Sequence, residues 1–352
     1  MSQSIANTGI NANDKSFVTT FAWLLKREYW EHRGGFFWTP FIIAILMLAI
    51  VLIILISADI TAHQHGIDLS GMNLSQLAQK MSPENTAKFA AGLNIGLLGM
   101  SVFIWIALTF VVFFYLLGAL YDDRRDRSVL FWKSLPVSDL NTVLSKVAAA
   151  VIVAPALALA AAIFLQLAFL VIASLYALFH GVNPLPLLWS PTQLIAMWLK
   201  LVLLIPINAL WALPTVGWLL LCSSFARSKP FMWAVLLPIM VGLIVSWINL
   251  MQTLTLPSGW YWKNIFGRIV LSIVPASWIG TAFTPGNSFG VSSSGDDINI
   301  GLRKLDFFNN LLSPDGLFGV LLSPELWTGA IAGVAMIAAA VYFRRQRTES
   351  YA

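Results

Sequence analysis

Asp122, Asp123, Arg124, Arg125, Asp126, Arg127 and Lys133 put seven charges into thirteen residues of a chain in which only 11% of residues are charged. Such a run can pair its charges within a helix or present a charged face to water or to another protein. Taken as a helix, Asp123 and Arg127 stand four apart and Asp122 and Arg125 three apart, so acidic and basic groups offset one another on a solvated face. Val129, Leu130, Phe131 and Trp132 follow directly, bulky and apolar. A short helix with an apolar tip and a charged base suits docking into a groove on another protein. The alternative is that Phe131 and Trp132 rest on a membrane interface. Pro136 ends this element, and Ser138 is placed to cap the helix that follows.

Other residues that could do chemistry are sparse. His63 and His65 could supply two metal ligands with Asp59 or Asp68 nearby, but a polar loop of this kind is more simply solvated, and no metal site is expected. The sequence has no H-E-x-x-H and no nucleophile-plus-base pair in its apolar stretches. It also lacks any Gly-Lys dipeptide, so it holds no phosphate-cradling P-loop, and no cofactor is expected. Lys200 is an ionisable group well inside an apolar run. It is either functional, as intramembrane charges are by default, or it snorkels to the nearby end of its span.

The elements that hold these residues are apolar: 58% of the 352 residues are hydrophobic, which makes the chain an all-α integral membrane protein. Its formal charge of +5 could suggest nucleic acid, but membrane proteins gather Lys and Arg on one side for topological reasons, and no nucleic-acid partner is expected. Cys222 is the single cysteine, so no intrachain disulfide is available. About 20 apolar residues cross the hydrocarbon core. Six spans follow: about 38–57, about 95–120, within 143–179, within 193–225, about 231–251 and about 324–343. Pro155, Pro206 and Pro214 are expected to kink or break the two long ones.

With both termini inside, 14 basic residues face the cytoplasm and 6 the outside, which fixes the orientation. Residues 1–37 are then a cytoplasmic N-terminus, 38–343 the transmembrane domain and 344–352 a cytoplasmic tail. The charged segment becomes a cytoplasmic loop, 121–142, while 58–94 and 252–323 are outer loops. A seventh span over 265–283 would upset this. Arg268 and Pro275 interrupt that stretch and Trp260, Tyr261, Trp262 and Trp278 flank it, so re-entrant or interface-lying helices are expected instead. Before the first span, Val18, Phe21, Ala22, Leu25 and Tyr29 form an apolar stripe at helical spacing, with Trp23 and Trp30 on its flanks. That helix either lies along the membrane surface or packs as a soluble helix, and Gly34 and Gly35 allow the turn into the first span.

The run "DDRRDRSVLFWKSLPVSDLNTVLSK" resembles the cytoplasmic loop between the second and third spans of type-2 ABC transporter permeases. The matching positions are Asp123, Arg124, Ser128, Leu135, Pro136, Val137, Ser138 and Lys146. The family commonly has Gly before the hydroxyl residue, where this chain has Arg127. The resemblance implies a bacterial inner-membrane permease subunit that works by alternating access, pairs with a second permease subunit as a homodimer or with a related chain, and seats separate cytoplasmic ATPase subunits. It further implies that the loop is the coupling element, with Asp123, Arg124, Arg127, Ser128, Phe131, Trp132, Lys133 and Pro136 as contacts. ATP hydrolysis would lie on the partner, so the chain itself is not expected to be an enzyme. Apolar, aromatic-lined spans suit export of an amphipathic or lipid-like cargo, and they equally suit helices that simply face membrane lipid. A nucleotide-independent channel would normally carry more ionisable groups in its spans, and an intramembrane enzyme lacks its chemistry.

Overall fold

The computed structural model describes residues 9–65, 83–126, 137–251, 256–278 and 314–349, and no strand occurs among them. Six helical stretches are long and apolar enough to cross a membrane: Gly34–Thr61, Phe89–Arg125, Asp139–Phe179, Leu185–Phe225, Met232–Leu250 and Pro324–Gln346. The chain is a multi-pass, all-α membrane protein. Every expected span is present, and most run several residues longer, because the polar residues at their ends continue the helix beyond the apolar core.

The prolines do not break the helices. Pro206 and Pro214 lie inside one unbroken helix, Leu194–Phe225. Elsewhere a π-helical segment precedes the proline: Gly34–Trp38 before Pro40, Ala149–Val153 before Pro155 and Met232–Leu236 before Pro238. The carbonyl that each proline ring would strike, four residues back, is Phe36, Val151 or Ala234 and sits inside the widened turn. At these three positions the span passes its proline by local widening.

Two glycines bring the fourth and sixth spans together. A Cβ on Gly217 would run into the Gly333 carbonyl, and one on Gly333 would meet the Leu213 backbone. Close approach through small residues substitutes for the hydrophobic drive that lipid cannot supply. The main core lies where the second, third and fourth spans meet, around Leu116, Ala158, Leu165, Val216 and Leu220. Within it, Gln166 Nε2 donates to the Leu97 carbonyl and Ser101 Oγ, while its Oε1 accepts from Trp198 Nε1 at 2.8 Å. That amide thereby joins three spans with its polar atoms satisfied.

Residues 262–271 form a short helix, Trp262–Leu271, and the chain then turns through 272–278. Ten residues are too few to cross. The Arg268 carbonyl accepts from Thr215 Oγ1, after which Ser277 Oγ accepts from Trp211 Nε1, and Ala276 N and Trp278 Nε1 both donate to Asn208 Oδ1. The contacts run from Thr215 back to Asn208 on the fourth span, so the segment enters beside that span and returns. The expected re-entrant element is present, and no seventh span occurs among the described residues. Ala276 makes the reversal with φ +64°, a left-handed conformation unusual for a residue with a Cβ.

The N-terminal helix, Gly9–Glu31, packs on the start of the third span. Its buried face differs from the expected stripe: Leu24 and Glu28 are buried, while Val18 and Ala22 are exposed. The rotation follows from Glu28, whose partners lie on the third span. Trp23 and Trp30 remain exposed, with Lys26 Nζ 4.9 Å above the Trp23 ring and the Arg33 guanidinium 5.8 Å from that of Trp30. At the junction the backbone stays helical through the π turn. Gly35 serves close approach there, since a Cβ would sit 2.9 Å from Val111 Cγ1.

Candidate functional site at one end of the bundle

Glu28 of the N-terminal helix is fully buried at the end of the bundle where the second and fourth spans finish and the third begins. Its Oε2 accepts from Tyr115 OH at 2.8 Å, and its Oε1 lies 3.3 Å from Lys146 Nζ and also pairs with Arg27. Lys146, itself 2% exposed, stands 3.5 Å from Asp123 Oδ2. The same Asp123 oxygen accepts from Arg344 Nη1 at 3.2 Å, and Arg344 Nε donates to Asp139 Oδ1 at 3.1 Å. Three carboxylates and three cations thus form one chain of contacts joining the N-terminal helix, the second and third spans and the sixth.

Burial alone would raise the Glu28 pKa. The Lys146 and Arg27 cations and the Tyr115 hydroxyl outweigh it and hold the carboxyl below its ordinary value, so Glu28 stays ionised. A buried ion pair gains little net stability over an apolar pair, but removing one member leaves the other charge uncompensated, which is costly.

Arg124 fastens the adjoining segment to the fourth span. Its Nη2 donates to the Ser223 and Ala226 carbonyls at 2.6 and 3.0 Å, at the C-terminal end of a helix, where a cation is favoured. Ser223 Oγ in turn accepts from Leu120 N and Tyr121 N, two donors exposed where the second span's helix breaks after Gly118. On the other side of the loop, Ser138 caps the third span as expected, with Oγ accepting from Asn141 N at 3.2 Å.

Of the expected loop residues, Asp123 and Arg124 are brought into this site. Arg127, Ser128, Phe131, Trp132, Lys133 and Pro136 lie outside the described residues. The short helix Tyr121–Arg125 ends before Arg127, and Asp123 turns inward to Lys146 and Arg344. The expected Asp123–Arg127 pair involves a residue outside the described ones.

Glu28, Glu31 and His32 place one potential ligand atom each within 4.8 Å of one another. Both Glu28 oxygens are already occupied by cations and by Tyr115, so the chemistry there is ion pairing. At the opposite end His63 and His65 are exposed, and Asp59 instead pairs with His180 Nε2 at 3.2 Å, linking the ends of the first and third spans. Asp68 lies outside the described residues. Lys200 is partly exposed on the fourth span, with no ion-pair partner among the described residues.

No family model, curated protein or solved structure matches the chain.

Sequence reasoning missed Glu28, Tyr115, Asp139 and Arg344 as site residues and used Lys146 only as a motif position. Both Glu28 and Lys146 fall in the buried phase of their helices, four residues after Leu24 and three after Val143. A charge in the apolar phase of each of two helices is the signal that points to them. In the sequence Arg268 counts as an outer basic residue and as an interruption of an apolar stretch. It is stacked on the Trp211 ring at 3.6 Å and donates to the Glu325 carbonyl, packed so closely that a Cβ on Gly329 would fall onto its guanidinium.

Proposed function

We propose that the chain is the membrane-spanning permease subunit of an ATP-binding cassette transporter. In this reading a separate ATPase docks on the loop between the second and third spans and drives alternating access. One observation carries it. Both ends of that loop are bonded into the bundle, the first through Asp123 to Lys146 and Arg344 and through Arg124 to the Ser223 and Ala226 carbonyls, the second through Asp139 to Arg344. A push on the loop would therefore reach the N-terminal helix and the second, third, fourth and sixth spans together. The resemblance of residues 122–146 to the permease coupling loop supplies the partner, and the excess of basic residues at this end supplies the orientation. The site then faces the cytoplasm of a bacterial inner membrane, with both termini inside. Phe131 and Trp132 are the docking contacts, and the chain works as a dimer with a second permease subunit to export an amphipathic or lipid-like cargo.

Affinity purification of the full chain from its native membrane tests the reading. An ATPase should co-purify, and Phe131→Ala with Trp132→Ala should reduce its recovery at least tenfold, because losing buried aromatic anchors costs about 2 kcal/mol or more. Isolation of the chain without any ATPase, or equal recovery with the double variant, would overturn it.

A further inference from the structure

A cavity of about 310 Å³ lies among the second, third and fourth spans and the turn of the re-entrant segment. Its walls are hydrocarbon, from residues such as Val102, Ile106, Val151, Leu204 and Pro275, and no charged side chain lines it. Besides the Trp105 indole, three polar side chains line it: Thr109, Asn208 and Ser272. Two of them are already engaged, Thr109 Oγ1 donating to the Trp105 carbonyl and Ser272 Oγ to the Arg268 carbonyl.

Asn208 differs. Ala276 N and Trp278 Nε1 both donate to its Oδ1, at 3.2 and 3.0 Å, which fixes the orientation of the amide. The Nδ2 hydrogens are left facing the cavity with no acceptor among the described residues. Asn208 lies about 21 Å along its helix from Leu194 and about 26 Å from Phe225, so this is mid-bilayer. An unsatisfied amide there is costly. A water there would find acceptors only in the Thr109 and Ser272 oxygens, between walls that are otherwise hydrocarbon, so most of the cavity offers it no partner.

We infer that this cavity binds an uncharged, mainly hydrocarbon molecule carrying one acceptor oxygen, an ester, ether or ketone, with Asn208 Nδ2 donating to that oxygen. The volume is about twice the roughly 150 Å³ that suffices for benzene in an apolar cavity, and it falls within the range of small-molecule sites. Val102 and Ile106 remain 48% and 49% exposed, so the mouth opens beside the second span, where a hydrophobic molecule can enter from the bilayer. A charged headgroup has no partner inside. The site needs no ATPase and stands apart from the transporter reading.

The test uses the purified full chain and methyl decanoate carrying a terminal diazirine, with photolabelled positions mapped by mass spectrometry. Labelling should fall on 102–112 and 201–212. Methyl decanoate should compete about five- to tenfold better than decane, the ratio that one neutral hydrogen bond supplies, and decanoate anion should compete least. Asn208→Leu should abolish the preference for ester over decane while leaving decane's own competition intact, which also shows that the cavity has survived the substitution. Ala209→Phe, which fills the cavity, should prevent labelling. An ester preference unchanged in Asn208→Leu, or labelling unaffected by Ala209→Phe, would overturn the inference.

Discussion

Lys146→Met removes the central cation of the buried network. Lys146 Nζ stands 3.3 Å from Glu28 and 3.5 Å from Asp123, with the lysine 2%, Glu28 0% and Asp123 16% exposed, so Glu28 cannot recruit water in its place and Asp123 only in part. Breaking a buried pair by removing one partner costs about 3–5 kcal/mol. Arg27 and Tyr115 still hold Glu28, and Arg344 still holds Asp123, which puts the expected loss at the low end, about 3 kcal/mol. Glu28→Gln should cost about 2 kcal/mol, because Lys146 keeps Asp123. The double variant should lose less than the sum of the two, with a coupling energy of at least about 1 kcal/mol. Denaturant midpoints of the purified chain in mixed micelles measure all three. Strict additivity, or a loss below about 1 kcal/mol for Lys146→Met, would refute the claim that these two charges form one buried unit.

Further outcomes follow from the same geometry. Glu28 has a depressed pKa in the fold, so its contribution is complete above its ordinary value near 4.5 and disappears as pH falls through the lowered value. An acid-induced drop in midpoint that Glu28→Gln makes shallower is expected. The Tyr176 carbonyl and Asp59 raise the pKa of His180 against a smaller opposing effect of burial. Its pairing with Asp59 is therefore fully present below the ordinary histidine value and weakens as pH rises through the raised one. NMR titration of the His180 ring should give a pKa above 6.5, lowered by Asp59→Asn. Gly333→Leu should separate the fourth and sixth spans and cost about 2 kcal/mol or more, whereas Gly319→Ala, where a Cβ meets nothing within 4 Å, should be nearly neutral in the same assay. Reversal of Asp123 to Arg places a third cation beside Lys146 and Arg344, and the reversal of Arg127 should not rescue it in a stability measurement.

The sequence carries the architecture in its longest signals. Apolar stretches of span length locate all six crossings, and Arg268 with Pro275 marks the place where a seventh fails. Ser138 was legible as a cap because a cap is a local device. The ionic site was harder to read. Glu28 and Lys146 are 118 positions apart and Asp123 and Arg344 are 221 apart, and a single helix does not reveal which distant helix will bury its charge. The stripe through Val18 and Ala22 was misplaced for the same reason, since apolar spacing alone leaves the rotation open and the Glu28–Lys146 pair sets it. Asn208 reads as one polar residue in an apolar run until the re-entrant turn supplies two donors to the same oxygen.

Mechanical connection between the loop and the far end of the bundle is the central claim, and one distance measures it. Spin labels at Phe179→Cys and Leu322→Cys would sit on residues 87% and 79% exposed, at the far ends of the third and sixth spans, while the native Cys222 is buried. In the complex with the co-isolated ATPase, ATP should shift the distance distribution between the two labels, and Asp123→Asn should suppress the shift while ATP hydrolysis continues. A distribution that ATP leaves unchanged in the wild-type complex, or a shift that survives Asp123→Asn intact, would contradict the account.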